Sequence, residues 1–182
     1  MMKYIYRDVI SAVEYLPYGL ALGVPVAAVF LCLMWHRQKA KNEKPALAIP
    51  LAVFVLYMAV MLVITFLSRE SGSSSGVADL ELFSTWGIND RNNAYVIENV
   101  LLFIPWGFTC SWAFARARHF LRCTLYGALV SVTIECLQLL TKRGFFQVDD
   151  ILTNILGTII GYLLFWLLLG WRLQRKENPS AC

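Results

Sequence analysis

A few polar residues in an otherwise apolar chain have the types and spacing that do chemistry. Glu98 and Asn99 are adjacent, Glu135 and Gln138 lie three apart, Arg143 follows, and Asp149, Asp150 and Asn154 complete the set. A desolvated Glu135 carboxyl would serve as a general acid or base. The Arg143 guanidinium suits bidentate binding of a phosphate. The adjacent Asp149 and Asp150 offer oxygen ligands of the kind a divalent cation takes. Each block also has a plain structural reading. The two aspartates complement a helix dipole, and Glu135, Gln138 and Arg143 form a buried polar network.

The elements that must position these residues follow from composition. The chain has 182 residues, of which 58% are hydrophobic and 15% charged. Its mean hydropathy is +0.58, which leaves too little polar surface for a water-soluble domain of this length. Apolar runs long enough to cross a hydrocarbon core occupy residues 16–35, 46–67, 95–115, 121–140 and 151–171. Without water to satisfy backbone groups, each run must be a helix. The expected fold is all-α: a polytopic transmembrane bundle of about five spans, plus a short N-terminal interfacial helix over 1–15. That helix carries Tyr4, Ile5, Val9, Ile10 and Val13 among Lys3, Arg7, Asp8 and Glu14.

Net charge is +4, but the basic residues sit in short runs beside apolar segments. This is the pattern of topology signals, and nucleic acid is excluded as a partner. Arg37, Lys39, Lys41 and Lys44 follow the first span; Arg116, Arg118 and Arg122 follow the third; Arg172, Arg175 and Lys176 follow the fifth. Five spans put all three runs on one side, which the positive-inside rule makes cytoplasmic. The N-terminus then lies outside and the C-terminus inside. The polar blocks gather at the outer ends of spans three, four and five, while His36 and His119 fall on the inner side, so no obvious nucleophile joins them. The loop over 68–93 contains Gly72-Ser73-Ser74-Ser75-Gly76, a run with no means of packing. Beyond it Leu80, Leu82, Phe83 and Trp86 are placed on the bundle or at the lipid interface. Cys32, Cys110, Cys123, Cys136 and Cys182 form no CxxC pair and have no histidine at ligand spacing. They read as apolar filler, and neither a metal nor a cofactor is expected.

On these spans Asp150 and Asn154 share a helix face four apart, as Glu135 and Gln138 do three apart. Gly157 and Gly161 continue below at the spacing that lets helices approach closely. Pro105 removes a helical hydrogen bond and Gly107 leaves room, so a kink is expected there. Ionisable groups at membrane depth are expensive, and the placement implies an outward polar pocket formed by Glu98, Asn99, Glu135, Gln138, Arg143, Asp149, Asp150 and Asn154. Arg69, Pro105, Gly107, Gly157 and Gly161 have secondary roles.

Four blocks also carry a family resemblance. Asn99-Val100-Leu101-Leu102-Phe103-Ile104-Pro105-Trp106-Gly107-Phe108, Glu135-Cys136-Leu137-Gln138, Arg143, and Asp149-Asp150-Ile151-Leu152-Thr153-Asn154 with Gly157 and Gly161-Tyr162 resemble the VanZ-like family over about residues 95–165. Ser68-Arg69-Glu70 resembles the arginine-bearing stretch of many members. Gln147 departs from the pattern, since members often carry an acid two or three residues before the paired aspartates. The resemblance implies a bacterial membrane protein and resistance to the glycopeptide teicoplanin, without implying a reaction. The chain then divides into an N-terminal interfacial helix (1–15), a first span with its cytoplasmic basic loop (16–45), a second span with its outer loop (46–94), a VanZ-like core of three spans (95–171) and a cytoplasmic tail (172–182). The bilayer is one partner; a glycopeptide antibiotic or an envelope lipid is another. Three functions stay open: a factor lowering teicoplanin susceptibility, an enzyme or carrier for an outer-leaflet lipid, and a structural helper of another membrane protein.

Overall fold

In a computed structural model of the chain, residues 1–41, 48–66, 78–170 and 173 are described. Lys44, Arg69, Glu70, the 72–76 run, Arg172, Arg175 and Lys176 lie outside them, as do the side chains of Arg37 and Lys41. The elements are α1 (Met2–Lys41), α2 (Ala48–Phe66), β1 (Ala78–Asp79), α3 (Asp90–Ala113), α4 (Phe120–Thr141), β2 (Phe146–Gln147) and α5 (Val148–Phe165). One wider helical turn, Trp166–Gly170, extends α5. Among the described residues five helices are long and apolar enough to cross a membrane, and the fold is an all-α bundle.

The first helix departs from expectation. Residues 1–15 are not a separate element but the start of α1, which continues through Pro17 and Pro25 to Lys41. No turn-forming run separates residue 15 from 16, so nothing ends the helix there. Forty residues at the standard rise make about 60 Å, roughly twice the hydrocarbon thickness. The first turns of α1 dock on the start of α3. The Met1 ammonium meets Asp90 Oδ2 at 2.8 Å, and Arg91 Nη1 meets Asp8 Oδ2 at 2.7 Å. Further along, Gly19 and Gly23 let α1 approach Val60 and Ala59 of α2.

The closest packing joins α3 to α5. A Cβ added at Gly107, Gly157 or Gly161 would fall on the backbone carbonyl oxygens of Thr158, Val100 and Ile104 respectively. Backbone therefore rests directly on backbone along this seam, as small-residue spacing in membrane helices permits. Phe103, Trp106, Cys110 and Cys123 are buried beside it with Met61 and Ile134. Pro105 lies inside α3, which continues unbroken to Ala113. A two-residue parallel pairing, Ala78 with Phe146 and Asp79 with Gln147, ties the segment before α3 to the segment before α5.

Candidate functional site

The site grows out of helix ends. At the close of α4, Lys142 adopts the left-handed conformation (φ 54°). Its N–H donates to Leu139 O at 3.2 Å, and the Arg143 N–H donates to Gln138 O at 3.0 Å. This Schellman-type ending satisfies orphan carbonyls and folds Arg143 back beside the last turns of α4. Gln138 and Arg143 then reach α2: Gln138 Nε2 donates to Thr65 O at 3.3 Å, and Arg143 Nη1 to Phe66 O at 2.6 Å. These carbonyls belong to the last described turn of α2, where a cation is favoured by the helix dipole. Glu135 Oε2 accepts the Gln147 N–H at 3.1 Å, which links α4 to the start of α5.

Around these groups lies a cavity of about 640 Å³. Its wall includes Glu98, Asn99, Glu135, Gln138, Arg143, Asp150 and Asn154. Glu135, Gln138, Asp150 and Asn154 are buried, at 2%, 2%, 8% and 3% exposure. The cavity takes the start of α1, the end of α2, the start of α3, the end of α4 and the start of α5. Those five ends therefore lie together at one end of the bundle. Apolar side chains such as Leu101, Leu102, Phe103, Ile134 and Phe145 complete the wall.

Asp149 stands apart from this set. It does not line the cavity; its Oδ1 accepts the Phe83 N–H at 2.7 Å and its Oδ2 the Thr85 N–H at 2.9 Å. Here Asp150 faces the cavity, while the Asp149 carboxylate is drawn to the backbone N–H groups of Phe83 and Thr85. The two carboxylates therefore do not make a joint cation site. Asp149 instead fixes a segment in which Phe83 holds a positive φ of 62° and Leu80, Leu82, Phe83 and Trp86 are exposed. Nearby, the Asp79 carboxyl accepts from Ser84 Oγ at 2.8 Å and from the Glu81 N–H at 3.0 Å. These bonds hold its pKa below the ordinary aspartate value.

Of the secondary residues, Gly107, Gly157 and Gly161 belong to the α3–α5 seam, and Arg69 lies outside the described residues. Several cavity residues were not singled out from sequence, namely Tyr57, Thr65, Arg91 and Tyr95, while Asp8 stood there only as a charge of the N-terminal helix and Gln147 only as a departure from the family pattern. The Arg91 guanidinium sits 4.4 Å from the Tyr95 ring centroid and 5.4 Å from that of Tyr4. The Tyr57 hydroxyl donates to Leu102 O. An available signal was the charge on Asp8 and Arg91, each the kind of group that a membrane protein places against a partner.

Comparison with known proteins adds one finding. A family model described as VanZ/LLP1 matches residues 54–169, from within α2 to the last helical turn. The start of α1, which supplies Asp8, Val9, Ser11 and Ala12 to the cavity wall, lies outside that match. No curated protein and no solved structure matches the chain.

Proposed function

The chain belongs to the VanZ/LLP1 family, and from that premise we propose that it lowers the susceptibility of a bacterial cell to teicoplanin-type glycopeptides through the cavity at this end of the bundle. The observation that supports the reading is convergence: Glu98, Asn99, Glu135, Gln138, Arg143, Asp150 and Asn154, from three helices and a turn, line one cavity. The proposed orientation has the N-terminus and cavity outside and the C-terminus in the cytoplasm, on the placement of Lys and Arg. A glycopeptide bearing an acyl chain meets both aqueous and lipid phases there.

The test is teicoplanin and vancomycin susceptibility of a sensitive Gram-positive host carrying wild type or Glu135→Ala at matched membrane levels. The expected result is teicoplanin protection by wild type that is lost in the variant. Absence of protection by wild type overturns the resistance reading, and full protection by the variant detaches it from the cavity.

A second reading, a carrier for an outer-leaflet envelope lipid, is favoured by the apolar part of the wall. Leu101, Leu102, Phe103, Ile134 and Phe145 share the cavity with the carboxylates, and such mixed lining suits an amphiphile. Purified protein that retains no lipid of defined headgroup would end that reading.

A further inference from the structure

We propose that residues 80–88 form a non-helical wedge seated in the bilayer, at the boundary between headgroups and acyl chains, where lipid chains cover its apolar surface. The proposal does not depend on the resistance reading. Five large apolar side chains fall within these nine residues, and Leu80, Leu82, Phe83, Trp86 and Ile88 are all 58–69% exposed. A loop built for water puts such side chains on the core, and a contiguous exposed set marks a binding or membrane surface. The backbone of the same segment is held by polar groups of the protein. Asp149 accepts the N–H groups of Phe83 (2.7 Å) and Thr85 (2.9 Å), Asp79 that of Glu81 (3.0 Å), and Asn93 Oδ1 that of Gly87 (2.8 Å). Phe83 also holds a φ of 62°, a costly conformation for a bulky residue, with its ring left exposed.

What covers this surface follows from where it sits. Phe83 and Trp86 share a groove of about 110 Å³ with Val96 of α3 and Leu152 and Leu156 of α5. Leu152 and Leu156 are exposed, and Leu163, also exposed, continues the same face of the helix. On a helix long and apolar enough to span a membrane, an exposed leucine row faces acyl chains. The surface of the wedge is therefore continuous with a lipid-facing one. The groove descends α5 from Asp149 to Leu156, a rise of about 10 Å. Apolar faces at the headgroup boundary reach about that depth, roughly 5–10 Å. Irregular backbone is not tolerated deeper in lipid, and Trp is enriched at this level. The run at residues 68–76 holds only Ser, Gly, Arg69 and Glu70, which supplies no apolar cover. Residues 78–90 include Asp79, Glu81 and Asp90 but no Lys or Arg, so the contact is apolar and owes nothing to anionic headgroups.

The experiment places the full chain, one copy per nanodisc, in phosphatidylcholine brominated at defined positions along its chains. Trp86 emission is isolated as the difference between wild type and Trp86→Phe. Bromine near the headgroup end of the chain should quench that emission about twofold more than bromine near the chain end. The profile should stay the same when salt is raised or phosphatidylglycerol is added, since no basic residue takes part. Should Trp86→Phe fail to fold, Leu82→Trp adds a reporter to the segment, and its added emission should follow the same profile. Quenching by dissolved acrylamide but by no brominated lipid would put the segment in water and overturn the proposal. Insensitivity to both quenchers would mean that protein covers the segment, and overturns it too. Equal quenching at all depths, strongest quenching at the chain end, or a profile that needs anionic lipid has the same consequence. No antibiotic enters this assay, so its outcome and that of the susceptibility test stand apart.

Discussion

Two walls of the same cavity are built by opposite means. Where α3 meets α5, Gly107, Gly157 and Gly161 let backbone lie on the carbonyls of Thr158, Val100 and Ile104. Where α1 meets α3, the contact is made by Asp8 on Arg91, by Met1 on Asp90, and by Arg91 stacked on Tyr4 and Tyr95. These are charged and partly exposed groups. The first wall holds Asn99, Asp150 and Asn154 in a fixed relation, because Gly157 lies within one turn of Asn154 and Val100 follows Asn99. The second wall has the weaker interactions, and its α1 half lies outside the residues that the family model matches. A rigid seam thus carries the polar constellation, while a less tightly bound helix closes it.

The largest effect should come from disturbing the seam. Gly161→Leu places a side chain where Ile104 O now sits, and the helices can accommodate it only by moving apart. Overpacking of this kind costs typically 1–3 kcal/mol, and a clash with backbone should reach about 3 kcal/mol or more. The expected outcome is loss of a monodisperse folded species in detergent, or a strongly lowered thermal midpoint. A Gly161→Leu protein that melts within about 2 °C of wild type would show that the seam is not closely packed, and the contrast between the walls would disappear.

A smaller effect is expected at the paired aspartates. Asp149→Ala removes the acceptor of the Phe83 and Thr85 N–H groups, at about 1–3 kcal/mol for a buried donor left unsatisfied. The loss should stay local: amide hydrogen exchange at residues 83 and 85 rises, while any protection against teicoplanin persists. Asp150→Ala should do the reverse, sparing exchange at 83 and 85 and weakening that protection. Identical behaviour of the two variants would mean that the adjacent carboxylates share one role after all.

The different legibility of these residues has a physical cause. Glu135 with Gln138 and Asp150 with Asn154 were readable because helical spacing puts each pair on one face and membrane depth makes polar groups costly. Gly157 and Gly161 were readable as a packing stripe for the same geometric reason. Asp149 is set apart by the Phe83 and Thr85 N–H groups, partners 66 and 64 residues away that leave no signal in the sequence pattern. The Ala78–Phe146 pairing was invisible, since two-residue strands far apart in sequence leave no periodicity. The turn at Lys142 was hidden because no glycine marks its left-handed residue. The start of α1 was read as a separate interfacial helix because its charges interrupt the apolar run. One of those charges, Asp8, docks it on α3 through Arg91.

The smallest expected effect lies at that docking contact, and it tests the other wall. Asp8 and Arg91 have side chains 24% and 30% exposed, and an ion pair of this kind is worth about 0.2–1 kcal/mol. Asp8→Asn, Arg91→Gln and the double variant form a cycle whose coupling should fall in that range and shrink as salt is raised. Stability alone would then make the contact look dispensable. Access to the cavity is the more sensitive readout, because Ser11 and Ala12 line it from the same helix. A cysteine placed at Ala12 should react faster with a soluble maleimide when Asp8→Asn is added, although the thermal midpoint barely moves. Unchanged labelling would mean that α1 is held by its glycine contacts with α2 alone, and that this wall is as fixed as the seam opposite.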